Sequence, residues 1–173
     1  MSSIRIYFEG DKGLRPGFRK FFGDDRRITL ISGGGQSTTE EDFRNAEKSH
    51  KDSLVLLLID SDRPLTATET RHPKRYFMVQ IMESWFLADR DALARYFGRN
   101  FNSSALPRNT TDIESIPKAD VERGLDNATR LCSKGRYSDS KVVHGRQLLL
   151  LLDRKRVRDA SPECDRLLQT LHP

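Results

Sequence analysis

Three carboxylates stand where apolar runs break off: Glu9 after residues 4–8, and Asp60 and Asp62 after residues 53–59. Carboxylates gathered at one edge repel one another unless a divalent cation sits among them. Hard oxygen donors with room for water suit Mg²⁺, for which Mn²⁺ can substitute. A cation held this way orients a phosphate and stabilises the charge that builds on its oxygens. In extended chain residues i and i+2 project to the same side, so Asp60 and Asp62 are expected to face one ion. D-x-D alone also reads as a plain strand terminus that caps the next turn. The Glu9-Gly10 pair after the first apolar run weighs against that reading.

Further candidates follow the fourth apolar run. Gln80 and Glu83 fall near the same expected edge, with Glu83 either supporting a metal or serving as an ordinary first-turn glutamate. Lys141 and His144 lie one helical turn apart ahead of Gly145, a pair suited to a phosphate if it faces the carboxylates. His144 read alone is equally a structural residue. Lys118 follows Pro117 at an expected helix start, where a cation opposes the helix dipole, and so calls for an anion or an acidic partner. Trp85 reads as core, with base stacking as the alternative. Gly33-Gly34-Gly35 lacks the lysine of a phosphate-binding P-loop and reads as a turn or a backbone nest. Cys132 and Cys164 have no metal-ligand spacing and read as plain buried thiols. No nucleophile–His–Asp spacing suggests serine or cysteine catalysis.

The elements that must position these groups follow from periodicity. Residues 4–8, 27–32, 53–59 and 76–81 read as strands, and the continuous apolar run 53–59 marks a central strand covered on both faces. Residues 14–22, with Leu14, Phe18, Phe21 and Phe22 at helical spacing, read as an amphipathic helix. A helix capped by Thr38 or Thr39 is expected to run to His50, and another from Met82 to Phe97, closed by Gly98. Residues 99–116 read as loop, and 118–131, 142–152 and 162–171 as three helices. The pattern predicts an α/β fold: a mostly parallel four-stranded sheet with flanking helices and a C-terminal helical part. Residues 1–98 form the core and 99–173 pack on it, within a single domain. Ligands of such sheets bind at the carboxyl ends of the strands, where Glu9, Asp60 and Asp62 are expected.

The chain has 173 residues, 36% hydrophobic and 32% charged, with a formal net charge of +5. The excess of basic residues in 15–27, 63–75 and 134–158 favours a polyanionic partner, DNA or RNA, through counterion release. No charged-then-apolar leader is present and no apolar run approaches bilayer length, so a cytoplasmic protein without membrane contact is expected.

Y-F-E-G-D at 7–11 followed by L-L-I-D-S-D at 57–62 resembles the Toprim signature of topoisomerases, primases and overcoming-lysogenization-defect nucleases. Q-I-M-E-S-W-F-L-A-D at 80–89, I-P-K at 116–118 and Y-S-D-S-K-x-x-H-G at 137–145 resemble the family catalogued as domain of unknown function 4276. The resemblance implies a Toprim/Rossmann-like fold, Glu9 as general acid/base or metal ligand, and Asp60 and Asp62 as Mg²⁺ ligands, with Glu83 and Lys141 in catalytic support. It also implies a nuclease or related phosphodiester enzyme that acts beside an ATPase partner in bacterial antiviral defence. Two alternatives stand beside this. One is a non-catalytic metal-binding regulatory subunit of an ATPase partner. The other is a phosphotransferase of the haloacid dehalogenase type, which shares the apolar-run-D-x-D pattern but carries it on the first strand.

Overall fold

The computed structural model describes residues 3–172. Four strands, β1 Ser3–Glu9, β2 Ile28–Gly34, β3 Ser53–Asp60 and β4 Arg75–Met78, form one sheet in the order β2-β1-β3-β4. Every neighbouring pair is parallel, so the sheet is all-parallel where the sequence predicts mostly parallel. β1 and β3 lie side by side, with Phe8 opposite Leu58, and this register carries Glu9 up beside Asp60.

Strand alternation divides the core. Ile6, Phe8, Leu56, Leu58 and Met78 join one hydrophobic cluster, and Tyr7, Val55, Leu57, Ile59 and Phe77 join the other. Both faces therefore need a cover. Helix α1, Arg15–Phe21, supplies Phe18 and Phe21 to the first cluster; α2, Gln36–Ser49, supplies Phe43 and Ala46 to the second. Because β2 lies on one side of β1 and β3 on the other, right-handed crossovers put successive helices on opposite faces.

The remaining chain thickens the first layer. A 3-10 segment, Met82–Ala88, leads into α3 Arg90–Phe97, α4 Lys118–Thr129, α5 Lys141–Leu151, α6 Arg154–Ala160 and α7 Pro162–Leu171. Leu125, Leu148, Val157 and Leu167 from these helices share one cluster with Ile6 and Phe8 of the sheet. α5 presses directly on α1. A Cβ at Gly17 would meet Leu149 Cβ at 2.7 Å and the Arg146 carbonyl at 2.9 Å, so only glycine permits this approach. Trp85 is fully buried, stacked on Phe21 at 5.0 Å and edge-on to Phe18 at 6.3 Å, which fixes it as core rather than as a base-stacking platform.

Three departures from the sequence reading have physical causes. The expected helix from Met82 to Phe97 is broken at Asp89. This buried carboxylate accepts the N–H of Ala92 at 3.2 Å as N-cap of α3 and the N–H of Asp153 at 2.8 Å. β2 runs on through Gly33 and Gly34, so α2 starts at Gln36 with Gly35 as its cap and Thr39 one turn in. α6 escapes detection because Val157 and Ala160 are its sole buried residues. Among the described residues no helix is long and apolar enough to cross a membrane.

Candidate active site at the carboxyl ends of the strands

Glu9 is the last residue of β1, and its Oε2 accepts the backbone N–H of Asp60 at 3.0 Å. The ladder between β1 and β2 slips between Phe8 and Glu9, where the chain leaves regular register. Asp60 is the last residue of β3, and its Oδ1 accepts the N–H of Met82 at 2.8 Å, the residue that opens the 3-10 segment after β4. Glu83 follows in the first turn of that segment, and its Oε1 accepts a hydrogen bond from the Tyr137 hydroxyl at 3.0 Å. Two strand ends and the 3-10 segment after β4 thus deliver three carboxylates, each with one oxygen held by a donor. Glu9, Asp60, Glu83 and Lys141 line one cavity of about 210 Å³, together with Gly34 and Val142.

The electrostatics of the cavity are unfavourable to negative charge. The Asp60 residue keeps some surface, but its carboxyl group is enclosed by protein. That burial, then Glu83 and Glu9, push its proton affinity well above the usual carboxylate range, against the opposing hydrogen bond from Met82. Glu9 is also raised, by burial first. The Asp60 N–H and Lys118 pull it down and Asp62 pushes it up. The Tyr137 phenol is held well above its ordinary value by burial and by Glu83, so the hydroxyl stays a donor.

Asp62 departs from the expected arrangement. β3 ends at Asp60, and Asp62 takes a left-handed backbone conformation with φ of 57°, so the rule that i and i+2 share a side in extended chain does not apply. Its N–H is bound to the Gln80 carbonyl at 2.8 Å, and its Oδ1 pairs with Lys118 Nζ at 2.6 Å, outside the residues that line the cavity. The acidic partner demanded by a lysine at the start of α4 is therefore Asp62. Gln80 joins the same junction, because its Oε1 accepts the Lys118 N–H at 3.1 Å and its side chain is buried.

The other sequence candidates separate clearly. Lys141, the first residue of α5, reaches the cavity and lies 3.4 Å from Glu122. His144 does not: it is buried, its Nδ1 shares a hydrogen bond with Tyr96 Oη at 2.8 Å, and its ring packs on Phe97. Gly34 lines the cavity while its carbonyl accepts the Gly10 N–H at 2.8 Å. Cys132 and Cys164 are both free and buried. Sequence reasoning missed two site residues: Tyr137, which holds Glu83, and Asp11, which lines the same cavity. Tyr137 heads the tail motif 137–145, and that position was its one signal.

The chemistry of the donor set suits a hard divalent cation: carboxylates that raise one another's proton affinity in one cavity are the groups such an ion would relieve. They are not pre-assembled as a chelate. Among the described residues no three His, Cys, Asp or Glu side chains are gathered closely enough to hold a metal as they stand. A cation would be held here only after rotation of at least one carboxylate.

Much of the basic charge is already neutralised nearby. Arg27 pairs with Asp25, Arg63 with Glu69, Lys74 with Glu47 and Arg75 with Glu40. Asp25 and Glu69 are each lowered to about 2, chiefly by the side-chain hydrogen bond from their arginine.

No curated protein and no solved structure matches this chain. Residues 12–172 match the family described as domain of unknown function (DUF4276), and the chain belongs to that family.

Proposed function

We propose that this protein is a Toprim-like, Mg²⁺-dependent phosphodiester enzyme acting on DNA or RNA, with Mn²⁺ able to replace Mg²⁺. The observation that carries the reading is the enclosed Asp60 carboxyl, set between Glu9 and Glu83 at the ends of parallel strands with Lys141 on the same cavity wall. Glu9, Asp60 and Glu83 would hold the cation, which supplies charge stabilisation at the scissile phosphate. As the alternative to ligating the ion, Glu9, its proton affinity raised by burial, would accept the proton of the attacking water. Lys141 neutralises a phosphate oxygen at the mouth. In both 63–75 and 134–158 many basic residues are paired within the protein, so the flanking backbone falls to Lys134, Arg136, Arg146 and Arg154, which take part in no ion pair among the described residues. An ATPase partner in antiviral defence belongs to the same reading.

The test is Mn²⁺ and Mg²⁺ titration by calorimetry on wild type and Asp60→Ala, alongside cleavage of labelled DNA and RNA. Metal binding lost in the variant, with metal-dependent cleavage by the wild type, supports the enzyme. A wild type that binds neither ion overturns it. A second reading, a non-catalytic metal-binding regulatory subunit of an ATPase, draws on the carboxylates not being gathered into a chelate. Binding without cleavage, even with a partner present, favours that reading.

A further inference from the structure

The C-terminal helical part reaches the carboxylates through Tyr137. Its side chain is buried, with 2% exposure, and its hydroxyl donates to Glu83 Oε1 at 3.0 Å. Nothing in that contact is left to side-chain freedom. The Tyr137 N–H is bound to Thr129 Oγ1 at 2.8 Å inside the protein, and Thr129 in turn donates to the Leu125 carbonyl at 2.7 Å, so the end of α4 sets where the tyrosine starts. The ring is held edge-on by Phe86 at 6.0 Å and flanked by His144 at 6.0 Å. α5 closes over the hydroxyl at Gly145. A Cβ there would lie 3.3 Å from Tyr137 Oη, 3.1 Å from Met82 Cε and 3.2 Å from Leu14 Cδ2, which leaves little room for any side chain.

The other element of the contact is short and exposed to competition. Glu83 sits in the first turn of a 3-10 segment, and two cavities share it: the one with Glu9 and Asp60, and a second of about 210 Å³ lined by Glu122, Asp126 and Ser138. A glutamate with two cavities to enter needs something to decide which one its free oxygen serves. A donor fixed by its own backbone bond and by packing against Phe86 and His144 does so by holding one oxygen.

We propose that Tyr137 is a positioning residue: it pins Glu83 Oε1 so that the second oxygen serves the divalent cation proposed for the Glu9–Asp60 cavity. This rests on the metal reading above. It adds that the C-terminal part, through the end of α4 and the turn before α5, sets the geometry of a ligand carried by the sheet. Lys141, four residues after Tyr137, is brought to the cavity by the same turn.

The experiment is Mn²⁺ binding by calorimetry on wild type, Tyr137→Phe, Glu83→Gln and the double variant, with the melting temperature of each metal-free protein. Tyr137→Phe removes a single oxygen and keeps the ring packing. We expect its Mn²⁺ affinity to fall by about 10- to 100-fold, the usual effect of losing a partner of a metal ligand. In the Glu83→Gln background the same change is expected to have no further effect. Mn²⁺ should also perturb the near-ultraviolet tyrosine absorbance of wild type, and that signal should vanish in Tyr137→Phe. The chain has four tyrosines, so the variant identifies the source. Wild-type binding with Tyr137→Phe unchanged, or effects that add in the double variant, overturns the positioning role and leaves the metal reading intact. A drop in melting temperature with unchanged affinity shows a purely structural tyrosine and overturns it equally. Absence of Mn²⁺ binding in the wild type overturns both.

Discussion

Two enclosed acids sit at either side of β4 and are treated in opposite ways. Glu163, in the first turn of α7, is 3% exposed. It accepts the N–H of Phe77 at 3.2 Å and is gripped by the Arg166 guanidinium. Arg166 also donates to the carbonyls of His72 and Arg75 and lies 4.0 Å over the Tyr76 ring, so the acid and the arginine together seal the outer edge of the sheet. Asp60 has one backbone N–H, from Met82, and takes part in no direct ion pair among the described residues; Glu83, Glu9 and Asp62 raise its proton affinity, and Lys118, itself paired with Asp62, acts on it only from a distance. Removal of a carboxylate from water is costly unless opposite charge and hydrogen bonds replace the lost hydration. Glu163 has both replacements; Asp60 has no direct counter-charge. The fold gives an arginine to one acid and no ion pair to the other, the contrast on which the proposed cation site draws.

The largest expected effect comes from stripping the compensated acid. Arg166→Met leaves Glu163 enclosed without its counter-charge, and loss of one partner of such a pair costs about 3–5 kcal/mol. Urea unfolding is the measurement, and Mn²⁺ binding by the folded fraction should match wild type. A loss below about 1 kcal/mol, the level of an exposed pair, would mean that water reaches Glu163 and that the contrast with Asp60 fails.

The uncompensated acid should respond with the opposite sign. A carboxyl whose native proton affinity is raised is stabilising while protonated. Its contribution is complete below the unfolded value, near 3.8, and is lost as pH rises through the raised native value. Glu9, also raised, acts in the same direction. Asp60→Asn keeps an oxygen for the Met82 N–H and removes the charge. The metal-free variant should therefore equal wild type below about pH 4 and exceed it near neutrality, while Mn²⁺ binding is lost. Chemical unfolding at a series of pH values reads this difference. A variant less stable than wild type at pH 7 would show that Asp60 is structural after all.

Most of the architecture was legible because burial leaves a period in the sequence. The run 53–59 announced a strand covered on both faces, and residues 4–8 announced its neighbour. Glu9 and Asp60 were legible as strand ends, and strand ends of a parallel sheet gather at one edge. The helix break at Asp89 was hidden, because its cause is the N–H of Asp153, 64 residues away. Asp62 was misplaced for a local reason: a two-residue spacing carries no sign of a left-handed residue, and aspartate adopts that conformation more readily than most. Tyr137 was passed over as a site residue despite heading the 137–145 motif, because its partner Glu83 lies 54 positions earlier and a lone tyrosine looks like any core aromatic.

The smallest expected effect sharpens the comparison at Asp62, the acid that does have a cation. Its pair with Lys118 is about half exposed on both sides, so it resembles an ordinary surface ion pair and contributes about 0–1 kcal/mol. Asp62→Asn should therefore barely move the unfolding midpoint. With Lys118 already holding its carboxylate, it should weaken Mn²⁺ binding far less than Asp60→Asn does in parallel titrations. Lys118→Met separates the possibilities further, since it frees Asp62 without removing an acid. If Lys118→Met tightens Mn²⁺ binding and Asp62→Asn then abolishes that gain, the lysine holds back a fourth ligand, and the D-x-D spacing regains its metal role once the ammonium is displaced. If neither change alters the titration, Asp62 belongs with Glu163 as a structural acid that the fold has supplied with its own counter-charge.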